Sequence, residues 1–273
     1  MTRNTYIGIV LASLLAAPAA RADGGFSTTN VQFLYGWKFA DPLYNAGGGP
    51  MQTTTLNNFN AFGWGDSFFF VDLYRANFSK GIPADKLLPA GHHDDAQIYA
   101  EWHPRVFLNQ LLGWKSSGIP FVRNWGAAFE VNQGSGVSPG NFYAYLAGVG
   151  FDFDVPAGYV LGLNIYYRYD RFAYNQYQVS PFWTVPFAIG PVPFVFTGFV
   201  DVNGTTTGTG TQAVEIWAQP ELLVDVLAPF HGPKNKLYVG TEWFLHRGSA
   251  AALGMPGLKN TSVPQIMAQW TMY

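Results

Sequence analysis

The chain contains no cysteine. Disulfide staples, a thiol nucleophile and a thiolate metal site are therefore all excluded. Charge is also scarce. Asp, Glu, Lys and Arg make up 12% of the residues, against roughly a quarter in ordinary globular proteins. The formal net charge is −2 and no basic block interrupts the sequence, so the electrostatic footprint of a nucleic-acid polymer binder is missing. Beyond the N-terminus no apolar run approaches the length of a membrane-spanning helix, and no fixed period suggests a solenoid or propeller. Aromatic residues, by contrast, are abundant at 17%, with 23 Phe, 15 Tyr and 9 Trp. A surface so rich in rings and so poor in charge would aggregate in water unless something apolar covered it.

The first residues read as an export signal. Arg3 precedes an apolar run from Tyr6 to Ala17, then come Pro18 and the small-residue site Ala20-Arg21-Ala22. This fits cleavage before Asp23 and is too short for a comfortable membrane anchor. The expected organisation is a signal peptide over 1–22 and one domain over 23–273.

Within that domain, apolar and polar residues alternate in twelve short segments: 27–38, 53–64, 67–78, 96–107, 120–132, 141–154, 159–171, 176–187, 193–202, 213–227, 236–246 and 263–273. In 159–171, Leu161, Leu163, Ile165 and Tyr167 share one face, and Asn164, Tyr166, Arg168 and Asp170 share the other. In 96–107, Ile98, Ala100, Trp102 and Val106 oppose Gln97, Tyr99, Glu101, His103 and Arg105. In 213–227, Val214, Ile216, Ala218, Leu222 and Val224 oppose Glu215, Trp217, Gln219, Glu221 and Asp225. In 236–246, Val239, Thr241 and Trp243 oppose Glu242, Phe244 and His246. Period two means strands. A β-sandwich has the same period, with the apolar face in its core and the charged face in bulk water. The export signal, the low charge and the terminal aromatic Tyr273 favour the opposite assignment, apolar face to lipid and polar face to an aqueous lumen. In lipid every backbone N–H and C=O must be paired internally, and short strands achieve that only by closing. The expected fold is all-β, a transmembrane antiparallel up-and-down β-barrel of 12 strands, an even number as bacterial barrels prefer.

Glycine- and proline-rich stretches at Gly47 to Pro50, 134–140, 204–210 and 248–260 read as loops, and 156–158 and Gly190-Pro191 as tight turns. The link 108–119 has room for one helical turn. In the last strand one register reads Gln265, Met267, Gln269, Thr271, Tyr273, and the other, Ile266, Ala268, Trp270, is apolar.

Several segments together resemble the nucleoside-specific channel-forming outer-membrane proteins, the Tsx-like channels. They are Gly63 to Leu73 (GWGDSFFFVDL), Tyr99 to Arg105 (YAEWHPR), Gly148 to Asp154 (GVGFDFD), Leu163 to Arg168 (LNIYYR), Tyr177 to Phe187 (YQVSPFWTVPF), Phe196 to Asp201 (FTGFVD), Trp217 to Leu222 (WAQPEL), Leu237 to Trp243 (LYVGTEW) and Val263 to Ile266 (VPQI). The resemblance implies a narrow monomeric barrel in the outer membrane, inserted by the barrel-insertion machinery through its C-terminal strand. It also implies passive diffusion of nucleosides along aromatic and ionisable residues, with no cofactor.

Such a channel needs flat rings that hold a base by stacking, worth about 1–3 kcal/mol per base in nucleic-acid binders, and polar groups for hydroxyls and base edges. The inward face offers Phe68, Phe70, Asp72, Tyr74, Glu101, Arg105, Tyr166, Arg168, Glu215, Trp217, Glu242 and Phe244 as substrate-binding candidates, with His103 on the same face between Glu101 and Arg105. The same residues would serve a packed polar plug, since small barrels fill their interior with side chains. His92-His93-Asp94-Asp95 looks like a metal cluster, but neighbours on an extended chain point apart, so no metal site is expected. Three other readings remain. A general porin would pass small solutes without preference. A membrane-embedded hydrolase or acyltransferase would pair a serine with His103, His231 or His246, yet no serine sits in a G-x-S-x-G setting. A non-transporting surface barrel would have its lumen fully blocked.

Overall fold

The structure, a computed structural model, describes residues 25–39, 49–76, 96–135, 142–171, 176–206, 212–248 and 260–272. The signal segment, His92 to Asp95, most of the glycine-rich loops and Tyr273 lie outside the described residues.

Alternation becomes thirteen strands: β1 (Phe26–Phe39), β2 (Gly49–Phe62), β3 (Gly65–Arg75), β4 (Ala96–Phe107), β5 (Val122–Ser135), β6 (Phe142–Phe153), β7 (Val160–Asp170), β8 (Gln176–Ile189), β9 (Val192–Thr206), β10 (Gln212–Ala218), β11 (Glu221–Asp225), β12 (Leu237–Arg247) and β13 (Thr261–Thr271). Each pairs antiparallel with its sequence neighbour, except that β10 and β11 both lie between β9 and β12. The last strand then pairs with the first, from Asn30 opposite Thr271 to Gly36 opposite Gln265. That closing seam leaves the sheet with no free edge, which satisfies the backbone without water.

The segment expected as one strand over 213–227 is interrupted at Gln219-Pro220. Proline has no N–H to give the ladder. Opposite it, Gly198 takes φ +142°, and a Cβ there would collide with the Gln219 carbonyl oxygen. The register nevertheless runs straight through the gap. Ala218 faces Val200 and Glu221 faces Thr197, three steps along each strand, and Trp243 N–H donates to the Pro220 carbonyl at 2.9 Å. The barrel therefore has twelve staves, one of them broken in the middle. Other boundaries differ by a few residues where turns take over. Gly63-Trp64 forms the tight link from β2 to β3, and Phe121, at φ 62°, belongs to the turn before β5. The helical turn after β4, α1 (Leu108–Leu111), is present.

Side chains sort as the alternation predicts. On β7, Leu161, Ile165, Tyr167 and Tyr169 are exposed, while Asn164, Tyr166, Arg168 and Asp170 are buried. On β12, Val239 and Trp243 point out and Tyr238, Glu242, Phe244 and His246 point in. On β13, Ile266 and Trp270 point out and Gln265 and Met267 point in, which settles the ambiguous last strand. This is the reverse of a sandwich: the exposed face is apolar and the enclosed face carries the charge. Two of the outward indoles keep their N–H paired. Trp102 Nε1 donates to Ser67 Oγ at 2.9 Å, and Trp243 Nε1 to Ser262 Oγ at 3.0 Å. An unpaired donor facing hydrocarbon would cost several kcal/mol, on the order given for lipid-exposed polar groups.

The two rims differ. One holds three tight turns, at Gly63-Trp64, Ala157-Gly158 and Gly190-Pro191, together with two longer described links, α1 with residues 112–121 and 226–236. The described strand ends that flank residues 40–48, 77–95, 136–141, 172–175, 207–211 and 249–259 lie at the other. Beside that second rim the outer wall is ringed with tyrosines. Tyr145 faces Tyr169 and Tyr167 faces Tyr177 across neighbouring strands, all four exposed. Around the first rim stand Trp64, Trp114, Phe121, Ile189 and Trp270. Aromatic girdles at both interfaces are the mark of a barrel crossing a bilayer.

Candidate functional site

The enclosed face is organised in layers. Nearest the short-turn rim, Arg105 on β4 is held by Asp66 on β3, through both its Nε (2.8 Å) and Nη2, and by Asp152 on β6 through Nη1 at 2.8 Å. Its guanidinium lies 4.9 Å from the ring centres of both Phe107 and Phe182. Asn124 extends this network, donating to Asp152 at 3.2 Å and accepting from Asn109 of α1 at 3.2 Å. So the helical turn is tied to the barrel mouth by an amide chain. Arg105, expected as a substrate contact, is here a fully engaged cross-strand clamp.

Two residues along β4, His103 sits between two acids. Its Nε2 lies 2.8 Å from Glu101 Oε2 and its Nδ1 3.3 Å from Glu130 Oε2 on β5. Glu130 also accepts from Asn132 at 2.8 Å and from Gln178 at 3.3 Å. Ser180 donates to Asp201 of β9 at 2.5 Å. The Tyr166 hydroxyl is buried in the same electrostatic neighbourhood, with no hydrogen-bond partner. Donor atoms of Glu101, His103 and Glu130 lie within 4.8 Å of one another, a spacing a divalent cation could use. Both imidazole nitrogens already face carboxylates, however, which is the arrangement of an imidazolium bridging two acids.

Along this wall runs a chain of rings. Phe68 lies 6.0 Å from Phe70, and His103 is 5.8 Å from Phe68 and 6.5 Å from Phe70. Phe70 is 6.0 Å from Tyr99, and Tyr99 is 6.2 Å from Phe142. Tyr99 donates to Glu101, and Arg168 lies 5.9 Å from the Phe142 ring. The arginine is anchored by Asp170 at 3.2 Å and by Gln178 at 2.5 Å.

An apolar cluster stands at the long-loop rim. Phe39, Met51, Tyr74, Phe244 and Val263, from five different strands, form one buried cluster, with Tyr99 and Trp217 packed on it. Trp217 stacks on His246 at 3.5 Å between centroids, and His246 Nε2 meets Glu215 at 2.7 Å. Below this cluster lie Asp72, Glu221 and Glu242. Asp72 accepts from Thr55 at 2.5 Å and Tyr74 at 2.7 Å, and Glu242 from Gln265 at 2.7 Å.

All twelve predicted residues thus face the lumen, but they fall into separate groups. Phe68, Phe70, Glu101 and Arg168 lie in or beside the chain of rings, with Tyr166 in the same electrostatic neighbourhood; Asp72, Tyr74, Glu215, Trp217, Glu242 and Phe244 lie in or beside the aromatic cluster nearer the long-loop rim, with β3 contributing to both groups; and Arg105 lies nearest the short-turn rim. Sequence reasoning did not select Glu130, Asp201, Glu221, Tyr99 or Phe142 as candidates. Alternation carried to β5 would have placed Glu130 inward beside exposed Phe129. The partners of His103 come from strand pairing that no local pattern reports. The serine-hydrolase alternative gains no support from these contacts, since both nitrogens of His103 and the Nε2 of His246 are directed at carboxylates.

The sequence matches no family model, and no curated protein matches it. Among solved structures the fold is similar to a KdgM porin, at 7% identity and a TM-score of 0.45, covering 89% of this chain and 99% of that one. It is also similar to OccK1 (OpdK) of Pseudomonas aeruginosa, at 10% identity and a TM-score of 0.33, covering 91% of this chain and 98% of that one. Both likenesses are slight. The chain is a membrane β-barrel by its own strand pairing and by the distribution of its side chains.

Proposed function

We propose that this protein is an outer-membrane channel through which small ring-bearing solutes, nucleosides first among them, diffuse passively. The observation that carries this reading is the continuous run of Phe68, Phe70, His103, Tyr99 and Phe142 beside Glu101 and Glu130 inside a closed barrel. Rings about 6 Å apart offer successive weak stacking sites. Weak sites in series favour flux, because a solute bound tightly at one of them could not leave. The neighbouring carboxylates accept hydrogen bonds from hydroxyls and amino groups of the solute. Flow down a gradient calls on neither cofactor nor metal, and the barrel works as a monomer.

Orientation follows from the rims. The rim that carries the tight turns faces the periplasm, and the opposite rim faces the cell exterior. The exported signal at 1–22 delivers the chain there, and the outward register Ile266, Ala268 and Trp270 of β13 is what the barrel-insertion machinery would grip. A general small-solute pore is the second reading. It is favoured by the ion pairs spread around the lumen, which suit any polar solute.

Single-channel conductance and liposome swelling separate the two. Concentration-dependent block by adenosine, absent with sugars and amino acids, is expected, and Phe70→Ala should weaken that block without preventing insertion. Equal permeation of all small solutes would leave only the general pore.

A further inference from the structure

The lumen carries a charge imbalance that falls on one spot. Among the described residues seven acids are buried against two arginines. Asp66 is neutralised by Arg105 and Asp170 by Arg168. Glu101 and Glu130 share His103. Asp225 accepts three backbone N–H groups, from Leu227, Ala228 and Asn235, at 2.7–3.1 Å. Asp72 and Glu242 remain. Their described partners are neutral: Thr55 and Tyr74 for one, Gln265 and Gln219 for the other.

A third acid joins them. Glu221, the first residue of β11, stands directly opposite Glu242 in the β11–β12 ladder. Directly opposed residues of an antiparallel pair hold their Cβ atoms about 5 Å apart, and like charges there repel. Glu221 is within electrostatic reach of Asp72 as well, and its neutral neighbour is Gln32. Beside this trio, Gln265 spends its amide N–H on Glu242 at 2.7 Å, while its carbonyl oxygen is buried without any partner. Glu221 and Glu242 therefore face each other with Asp72 within electrostatic reach of both, and the buried Gln265 carbonyl, on the side chain that donates to Glu242, lacks a donor of its own.

We propose that Asp72, Glu221, Glu242 and the Gln265 carbonyl form a cation site in the lumen, which makes the channel cation-selective and suits solutes bearing an ammonium group. This rests on the pore reading above and names the charge class it admits. Alkali cations use the same oxygens in transit. An alkyl ammonium adds N–H donors, which the carbonyl and the carboxylates all accept. The site lies just beneath the aromatic cluster of Phe39, Tyr74 and Phe244, so a solute with a flat apolar part and a positive end finds both in one passage.

The test is reversal potential in planar bilayers under a KCl gradient, with the full barrel. One carboxylate in contact with a monovalent cation enriches it about fivefold even at the dielectric of water. A K+ over Cl− permeability ratio of about five or more is therefore expected. Glu221→Gln/Glu242→Gln keeps the shapes and removes the repulsion, so it should insert normally and lower the ratio several-fold. Putrescine, a diammonium probe, should reduce K+ current in the parent at concentrations that leave the double variant unaffected. A pore with a ratio near one, or with the ratio and putrescine block unchanged in the double variant, would overturn the cation site while leaving the pore intact. Inserted protein with no conductance at all would overturn the pore reading and this site with it.

Discussion

The central strand β7 allows a depth test of the whole arrangement. Ile165 lies at its middle and Val160 at its short-turn end, and the two are equally exposed, at 42% and 44%. On a water-facing surface, Ile165→Arg and Val160→Arg would both fall within about 0.5 kcal/mol of the parent. In a bilayer they separate. Ile165 is flanked across the sheet by Val149 and Val179, so a guanidinium there meets no counter-charge. The strand rises about 3.3 Å per residue, which leaves the centre roughly 16 Å from either end, beyond the reach of an arginine side chain. An arginine at the midplane of a barrel costs about 2–4 kcal/mol, and one near the interface about 0–1 kcal/mol. Ile165→Arg should therefore lower the folding equilibrium constant by a factor of roughly 30 to several hundred, and Val160→Arg by less than about fivefold. The assay is reversible guanidinium titration of the barrel in phosphatidylcholine vesicles, followed by tryptophan fluorescence. Equal effects of the two substitutions, or a parent that folds in water without lipid or detergent, would refute the assignment of the apolar face to hydrocarbon.

Three further outcomes rest on named contacts. Arg105→Ala leaves Asp66 and Asp152 buried together without their shared cation, and a loss of about 3–5 kcal/mol is expected in the same titration; a loss below about 1 kcal/mol would show that the clamp adds nothing. Ser67→Ala removes the acceptor of the exposed Trp102 indole and should cost about 1–3 kcal/mol, with Ser262→Ala doing the same to Trp243; neutral results at both would mean that these indoles find other partners. Gly198→Val puts a side chain into the Gln219 carbonyl at a φ of +142°. It should sharply reduce the yield of heat-modifiable folded barrel on electrophoresis, and a normal yield would show that the broken stave can move aside.

Much of this molecule is legible in one dimension. Alternation needs no partner strand to be read: Tyr167 beside Arg168, or Trp243 beside Glu242, already says which way each must point, because a charge cannot face hydrocarbon. Strand number follows from counting such segments, and the helical turn from the spare length after Phe107. The broken stave was less legible. Pro220 is visible in the sequence, but it reads as an interruption only once Gly198 is known to lie across from it.

What the sequence determined by itself is the sidedness of each strand, and through it closure, since period-two segments with one greasy face have no other way to satisfy their backbone in lipid. What only the tertiary structure decided is company. Glu101 and Glu130 are 29 positions apart yet share His103, while Glu221 and Glu242 meet across a ladder with no cation beside them among the described residues. Sidedness is a local consequence of pleat geometry. Pairing depends on register and shear around the ring, which bring distant residues together and which no single strand encodes.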